Sequence, residues 1–464
     1  MNPSYNWELF VTPGLGDNSY LLQSGEEAVI IDPQRDAWRF LSEADSRKLR
    51  IRYVLETHVH NDYVSGALEI RNATRADIAA PAKGNYEFPH RGISEGDEIR
   101  IGSLRVVAIE TPGHTPEHIS WLVYEDGVNQ PVAVFSGGSL IVGSAGRTDL
   151  LGPKRTQELT HMQFQTIRRF AALPRSVTLL PTHGAGSFCA AGGVGKGRIS
   201  TLADEIRSNP SLQHNDEQSF IKQQLEDLKS YPTYYSQIAA INRKGAEILG
   251  ALPSPPAVAT GDVSAHMLGG GWVVDARDRS SFARAHIPGS INIELSDEFA
   301  TYVGWLIPFG SPIVLLLPEP LQQSIEEALT QLIRIGYDNV KGYLAGGINA
   351  WQESGSKTGS YPIGTLEDLC QDYNAGNRDL IDVRQEEEWD AGHAQGSIHA
   401  FVGDLNDKLK TLPSNREMWV ACESGFRASI AASYLDRHGI SVRLLADGGI
   451  SDLLKECPAA TAKK

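Results

Sequence analysis

Two histidines and an aspartate alternate in His58-Val59-His60-Asn61-Asp62, two residues beyond the apolar run Tyr53-Val54-Leu55. Successive side chains of an extended segment point to opposite faces, so this spacing sends all three polar groups to one side. Imidazole and carboxylate gathered in this way suit a transition metal. A polar loop whose histidines only cap and hydrogen-bond would look the same in isolation, but three further stretches repeat the logic. Pro112 and Gly113 set a tight turn that presents His114, and Val134-Phe135-Ser136-Gly137-Gly138 runs from a strand into a small-residue turn. Leu179-Leu180-Pro181-Thr182 is an apolar strand ending at His183.

Together these stretches resemble the metallo-β-lactamase fold, an αββα sandwich with metal ligands on loops at one edge. Within it the likeness is to the persulfide dioxygenases, which oxidise glutathione persulfide or related persulfides to sulfite with mononuclear Fe(II) and O2. The resemblance implies a site of two histidines and one aspartate, the histidines matching His58 and His114. Gly138 stands where the family's F-[ST]-G-D turn carries its aspartate, and Tyr63 stands where the hydrolases of the fold carry a further imidazole. Three histidines, His58, His60 and His114, are therefore the metal candidates. The alternative is a Zn(II) site of those three with one position open for water, as a thioester hydrolase would use. A metal-poor scaffold is the non-enzymatic reading. A G-R-x-D match makes Arg147 a candidate for binding a glutathione carboxylate, with an ion pair to Asp149 as its competitor.

Composition narrows the partners. A net charge of −15 argues against nucleic acid or an anionic membrane, since both need a basic face. No apolar run approaches a membrane span, and the start lacks the features of a signal peptide, so a cytoplasmic enzyme is the expectation. Cys189, Cys370, Cys422 and Cys457 are scattered without a C-x-x-C, which predicts neither a disulfide framework nor a zinc ribbon. Cys189, behind His183, reads as a small buried residue or as a sulfur acceptor.

The Pro-rich run Leu252-Pro253-Ser254-Pro255-Pro256 marks a stiff linker, after which the sequence repeats. Val273-Val274-Asp275-Ala276-Arg277 returns as Leu380-Ile381-Asp382-Val383-Arg384, and the Gly-His segment around His286 returns around His393. Each unit alternates strand and helix, the pattern of a parallel sheet covered on both faces. The motifs D-x-R, G-H-I-x-G-[AS]-I and a late G-G resemble the rhodanese domain twice. The expected division is 1–250 for the metal domain, then 257–355 and 364–456 for the rhodanese-like modules.

Sulfur transfer needs a thiolate at a strand end, followed by inward backbone N–H groups and a helix N-terminus. Cys422-Glu423-Ser424-Gly425-Phe426-Arg427 supplies this C-x-x-G-x-R loop, with Gly425 shaping the substrate cradle and Arg427 offering a cation for sulfite or a sulfonate. The first unit has Leu317-Pro318-Glu319-Pro320 at that place and no cysteine, so it is expected to space or dock. His286 and His393 are expected to be structural. The whole reads as an α/β multidomain, homo-oligomeric enzyme handling low-molecular-weight persulfides and passing sulfane sulfur through Cys422 to or from sulfite and thiosulfate.

Overall fold

The computed structural model describes residues 5–461. Two six-stranded sheets form the first part of the chain. One runs in chain order from Tyr5–Thr12 through Asp17–Ser24, Glu27–Ile31, Arg50–Leu55 and Asp77–Pro81 to Arg91–Ile93. The other has the order Ser200–Thr201, Thr178–Pro181, Ala133–Gly137, Ile119–Glu125, Leu104–Glu110, Glu98–Ile101.

The period of two in the strands decides what each face meets. Tyr20 and Leu22 point inward, with Val29, Ile31 and Leu55, onto Val106, Trp121, Val123 and Phe135 of the second sheet. Their alternates Leu21, Ala28, Ile30 and Val54 point outward, onto Phe40 and Ala44 of the helix Trp38–Ser46 and Ala67 and Ile70 of the helix Ala67–Thr74. The second sheet's outer face, with Leu122, Val134 and Leu179, takes Phe164, Ile167 and Phe170 from the helix Pro153–Ala171. This is the expected αββα sandwich.

Two helices, Glu217–Glu226 and Tyr235–Lys244, with a break between them, close this part of the chain. Pro232 lies in the break; it has no N–H to continue a helix and clashes with the preceding turn.

Two five-stranded, wholly parallel sheets follow. Their orders are Ala257–Val258, Val340–Leu344, Ile313–Leu316, Trp272–Asp275, Ile291–Asn292, and Ile363–Gly364, Val442–Leu445, Met418–Ala421, Leu380–Asp382, Ile398–His399. Both visit the strands in the same sequence, so the repeat in the sequence is a repeat in topology. By compactness the chain divides into a unit built on residues up to Pro253 with Thr330–Gly336, and a second unit of Ser254–Leu329 with Tyr337 onward. Among the described residues no helix is long and apolar enough to cross a membrane.

The D-x-R motif proves to be a brace. Arg277 pairs with Asp275 at 2.5 Å and donates to the carbonyl of Ala285 at 2.9 Å; Arg384 repeats this with Asp382 at 2.7 Å and Gly392 at 2.8 Å. His286 and His393 each bond a carbonyl four residues back, Phe282 and Trp389, and stack on that aromatic ring. Their role is structural, as expected. One expectation fails: Cys370 and Cys457 form a disulfide, their Cα atoms 5.5 Å apart, across 87 positions of sequence. Spacing could not reveal it, because the helix Leu366–Asn374 and the end of the helix Ile450–Glu456 meet only in the folded core.

Candidate metal centre and sulfur-transfer site

The parallel strands Glu27–Ile31 and Arg50–Leu55 end side by side, as do Ala133–Gly137 and Thr178–Pro181. The residues just beyond these ends converge. Asp32 is the hub: it accepts the Thr57 N–H at 2.8 Å, the Thr57 hydroxyl at 2.7 Å and the Thr182 hydroxyl. It holds this place with a left-handed backbone, φ 49°, a conformation that costs a non-glycine residue free energy and persists where its surroundings enforce it. Burial raises the Asp32 carboxyl, but His60 and the two threonines outweigh it and hold the group below its usual value.

The rings of His58, His60, His114 and His183 pack around one buried chamber, with centroid separations from His58 of 4.1 Å to His60, 4.9 Å to His114 and 5.5 Å to His183. Each ring has one nitrogen engaged: His58 Nδ1 with the Thr57 hydroxyl, His114 Nδ1 with the Arg147 carbonyl, and His183 Nδ1 with Asp17, all at 2.8 Å. Their Nε2 atoms are buried without a protein partner, as are His60 Nδ1 and both carboxylate oxygens of Asp62 in hydrogen-bonding terms. A buried polar atom left unpaired costs free energy, and hydrogen-bonding the far nitrogen of a histidine is how metal ligands are oriented. These residues therefore fit a metal ion.

Potential ligand atoms lie within 4.8 Å of one another in three sets: His58, His114 and His183; Asp32, His58 and His60; and His60, Asp62 and His183. His58 and His114 of the expected set meet, but the third member of their group is His183. His60 is turned away at Nε2, which lies 3.1 Å from Glu56 and 3.0 Å from the Tyr63 hydroxyl, with Tyr63 stacked on its ring. Burial pushes His114 down to about 3 and also lowers His58 and His183, so all three are neutral and able to ligate near neutrality. For His60 burial is outweighed by Asp32 and Glu56, which raise it. Asp62 is pushed up to about 7, chiefly by burial.

The turn at Gly137-Gly138 is closed. Its Gly138 N–H donates to His118 Nε2 at 3.0 Å, and a Cβ added at Gly138 would sit 2.3 Å from His114 Cδ2. Gly138 thus leaves no room for the aspartate that the family's turn carries, since the His114 ring fills the place. A narrow pocket of about 10 Å³, room for a single water, reaches His58 and His60 between Glu56, Tyr86 and Phe88. Asn242, on the helix Tyr235–Lys244, clamps the loop from below: it donates to the carbonyls of His60 and Tyr63 and accepts the Ser65 N–H. The sequence gives no role to Asn242 or to the hub Asp32, because each acts only through tertiary contact.

Arg147 is buried, and its donors are taken by Asp149 at 2.7 and 2.8 Å and by the carbonyls of Phe188 and Lys229. The ion pair is the arrangement present, and these contacts take four of the five guanidinium N–H donors, so no two-pronged fork is left for a glutathione carboxylate. Cys189 is buried, and burial first, then Asp62 and Asp17, pushes its thiol up; a protonated thiol does not accept sulfur.

In the second module Cys422 follows the strand Met418–Ala421 and precedes the helix Phe426–Arg437. The Ser424 N–H donates to Cys422 Sγ at 3.5 Å. Gly425 caps the helix at φ 80°, where a Cβ would lie 1.9 Å from the Ala446 carbonyl, so its role is to let the loop turn. Arg427 is not a free fork: Glu388 grips it at 2.5 and 2.8 Å. Arg384 is likewise shared between Asp382 and Glu423. The cations around Cys422 are therefore balanced by carboxylates.

Comparison with known proteins agrees with these parts. Residues 12–183 match the metallo-β-lactamase superfamily, and residues 260–354 and 365–456 each match the rhodanese-like domain. A hydroxyacylglutathione hydrolase of Cereibacter sphaeroides is 31% identical over 234 residues, 44% of this chain and 86% of its own. A solved metallo-β-lactamase from Staphylococcus aureus, 30% identical, matches with a TM-score of 0.66 over 74% of this chain and 99% of its own. The solved ETHE1 of Myxococcus xanthus, 25% identical, covers 51% of this chain and 98% of its own with a TM-score of 0.44.

Proposed function

Because the chain belongs to the metallo-β-lactamase superfamily and carries two rhodanese-like domains behind that fold, we propose that it is a sulfur-metabolism enzyme acting on low-molecular-weight thiol persulfides. The observation that carries this reading is the Cys422 loop, with a backbone N–H on Sγ at the start of a helix. Sulfur transfer there is a thiol exchange. The Cys422 thiolate attacks the outer sulfur of R–S–SH, the S–S bond breaks, and R–S⁻ leaves with the electron pair. The resulting Cys422 persulfide then gives its outer sulfur to sulfite or a second thiolate, which restores the Cys422 thiolate. The Ser424 N–H stabilises the anionic Cys422 sulfur at the start and end of this exchange. With Arg427 and Arg384 already paired and Glu423 in the loop, the site suits an organic persulfide better than dianionic thiosulfate.

In the first domain His58, His114 and His183 would hold the metal, with His60 Nδ1 and Asp62 beside them. Iron bound there supplies the redox chemistry by which O2 oxidises a persulfide to sulfite. The chain's own residues keep the imidazoles neutral, fix their orientation through Thr57, Asp17 and the Arg147 carbonyl, and exclude bulk water. A second reading, a zinc-dependent hydrolase, has a specific support: the 31% identical relative is named a hydroxyacylglutathione hydrolase, and an all-histidine set suits zinc.

The test of the carrying observation is Cys422→Ser. Transfer of sulfane sulfur from glutathione persulfide to sulfite is expected to vanish while any metal-dependent activity stays. Persistent transfer in that variant removes Cys422 from the reaction.

A further inference from the structure

The first rhodanese-like module has no nucleophile, yet one of its arginines lies on the loop of the second. Arg279 begins the helix Arg279–Arg284 and is gripped by Glu294, which accepts from Nε and Nη2 at 2.9 Å each and from the Arg279 backbone N–H at 2.6 Å. That grip aims the remaining nitrogen. Arg279 Nη1 donates to the carbonyl of Ser424 at 2.5 Å and to that of Ala446 at 3.2 Å. It sits directly against Gly425, where an added Cβ would lie 2.5 Å from it.

Resting on the sulfur-transfer reading above, we infer that Arg279 of the inactive module is a positioning residue for the persulfide loop of the active one, making the sulfur-transfer site a composite of both modules. The reason lies in the peptide bond. A trans peptide is planar, so fixing the Ser424 carbonyl also fixes the direction of the Gly425 N–H on the opposite side of the same plane. Gly425 has no side chain to restrict its dihedrals, and without a clamp this peptide could turn its carbonyl, a negative dipole, toward the sulfur. Arg279 holds the carbonyl outward and leaves the N–H side facing the other way.

The rest of the contact between the modules is built to keep that clamp in register. The helix that starts at the loop, Phe426–Arg437, is docked along its length on the first module. Ser433 Oγ accepts the Asn292 N–H at 2.8 Å, and Asp436 meets His286 Nε2 at 3.2 Å. The Arg437 guanidinium lies 4.1 Å over the Trp272 ring and donates to the Gly289 carbonyl. At the loop end Tyr302 packs edge-on against Phe426, with ring centroids 5.5 Å apart. The first module has no cysteine of its own and supplies the surface on which its neighbour's loop and helix rest.

The test uses the full chain with Arg279→Ala and Arg279→Lys. For glutathione persulfide to sulfite transfer, Arg279→Ala is expected to lower kcat by roughly 10–100-fold with KM changed less than about twofold, the scale of a misplaced catalytic group. Arg279→Lys, which can still reach a carbonyl, is expected to recover part of the loss. A loss of general stability alone would not split kcat from KM in this way. In parallel, amide exchange of residues 423–427 is expected to quicken about tenfold or more in Arg279→Ala, while the strand Met418–Ala421 keeps its protection. A kcat within twofold of wild type, or loop exchange unchanged, overturns the inference. If the wild-type chain transfers no sulfur, the proposed function fails, and the exchange measurement alone decides whether Arg279 orders the loop.

Discussion

At the scale of single residues, charge pairing around the two sites decides what each can bind. Burial raises the Glu388 carboxyl, but its pairing with Arg427 outweighs this and holds it below the usual glutamate value. A depressed folded pKa stabilises the fold above the unfolded value, about 4.3, and that contribution is lost as pH falls through the folded value. Acid unfolding followed below about pH 4.3 is therefore expected to lose this increment in the wild type but not in Glu388→Gln, whose stability at neutral pH is already lower; identical acid profiles would remove the pair from the account. Gly138 gives a second expectation. Since the His114 ring occupies the space of a side chain there, Gly138→Asp is expected to lower metal uptake, measured as metal per chain after loading. Uptake raised by that variant would mean that the aspartate can enter without displacing His114. His58, His114 and Cys422 were legible in the sequence because each stands in a contiguous motif whose spacing has a chemical reason. His183 was visible only as a histidine after a strand, and Asp32 only as a strand end. What makes Asp32 a hub is the meeting of Thr57 and Thr182, which are 125 positions apart in the chain.

At the scale of elements, loops are held by partners that the loops do not encode. The metal loop beyond Leu55 is clamped by Asn242 on the helix Tyr235–Lys244, and by the Tyr234 hydroxyl donating to the Asp62 carbonyl at 2.8 Å. Asn242→Ala leaves two carbonyls and one N–H of that loop without this partner. Outer contacts of this kind typically change metal affinity by about 10–100-fold, so competition with a chelator is expected to strip the variant at correspondingly lower chelator concentration. Equal retention would show that the loop holds its geometry alone. The strands themselves were readable from alternation, as Tyr20, Leu21 and Leu22 illustrate by dividing between two cores. The D-x-R repeats were readable as motifs, but their work as braces between strand and Gly-His loop needed the fold.

At the scale of the whole molecule, the chain carries a buried imidazole chamber in one unit and a thiol loop in the other. The division into a sandwich and two parallel-sheet modules followed from motif order and the repeat. The Cys370–Cys457 bridge and the composite character of the Cys422 site did not, because each depends on elements that meet only after folding. On the proposed function, the metal chamber oxidises the sulfur species that the Cys422 loop exchanges. It is tested most directly by loading the full chain with Fe(II) and following O2 uptake on addition of glutathione persulfide, with sulfite measured at the end and His114→Ala as the control. The account predicts persulfide-dependent O2 consumption with sulfite formed, lost in His114→Ala. A chain that instead retains zinc, consumes no O2 and hydrolyses a glutathione thioester would contradict it.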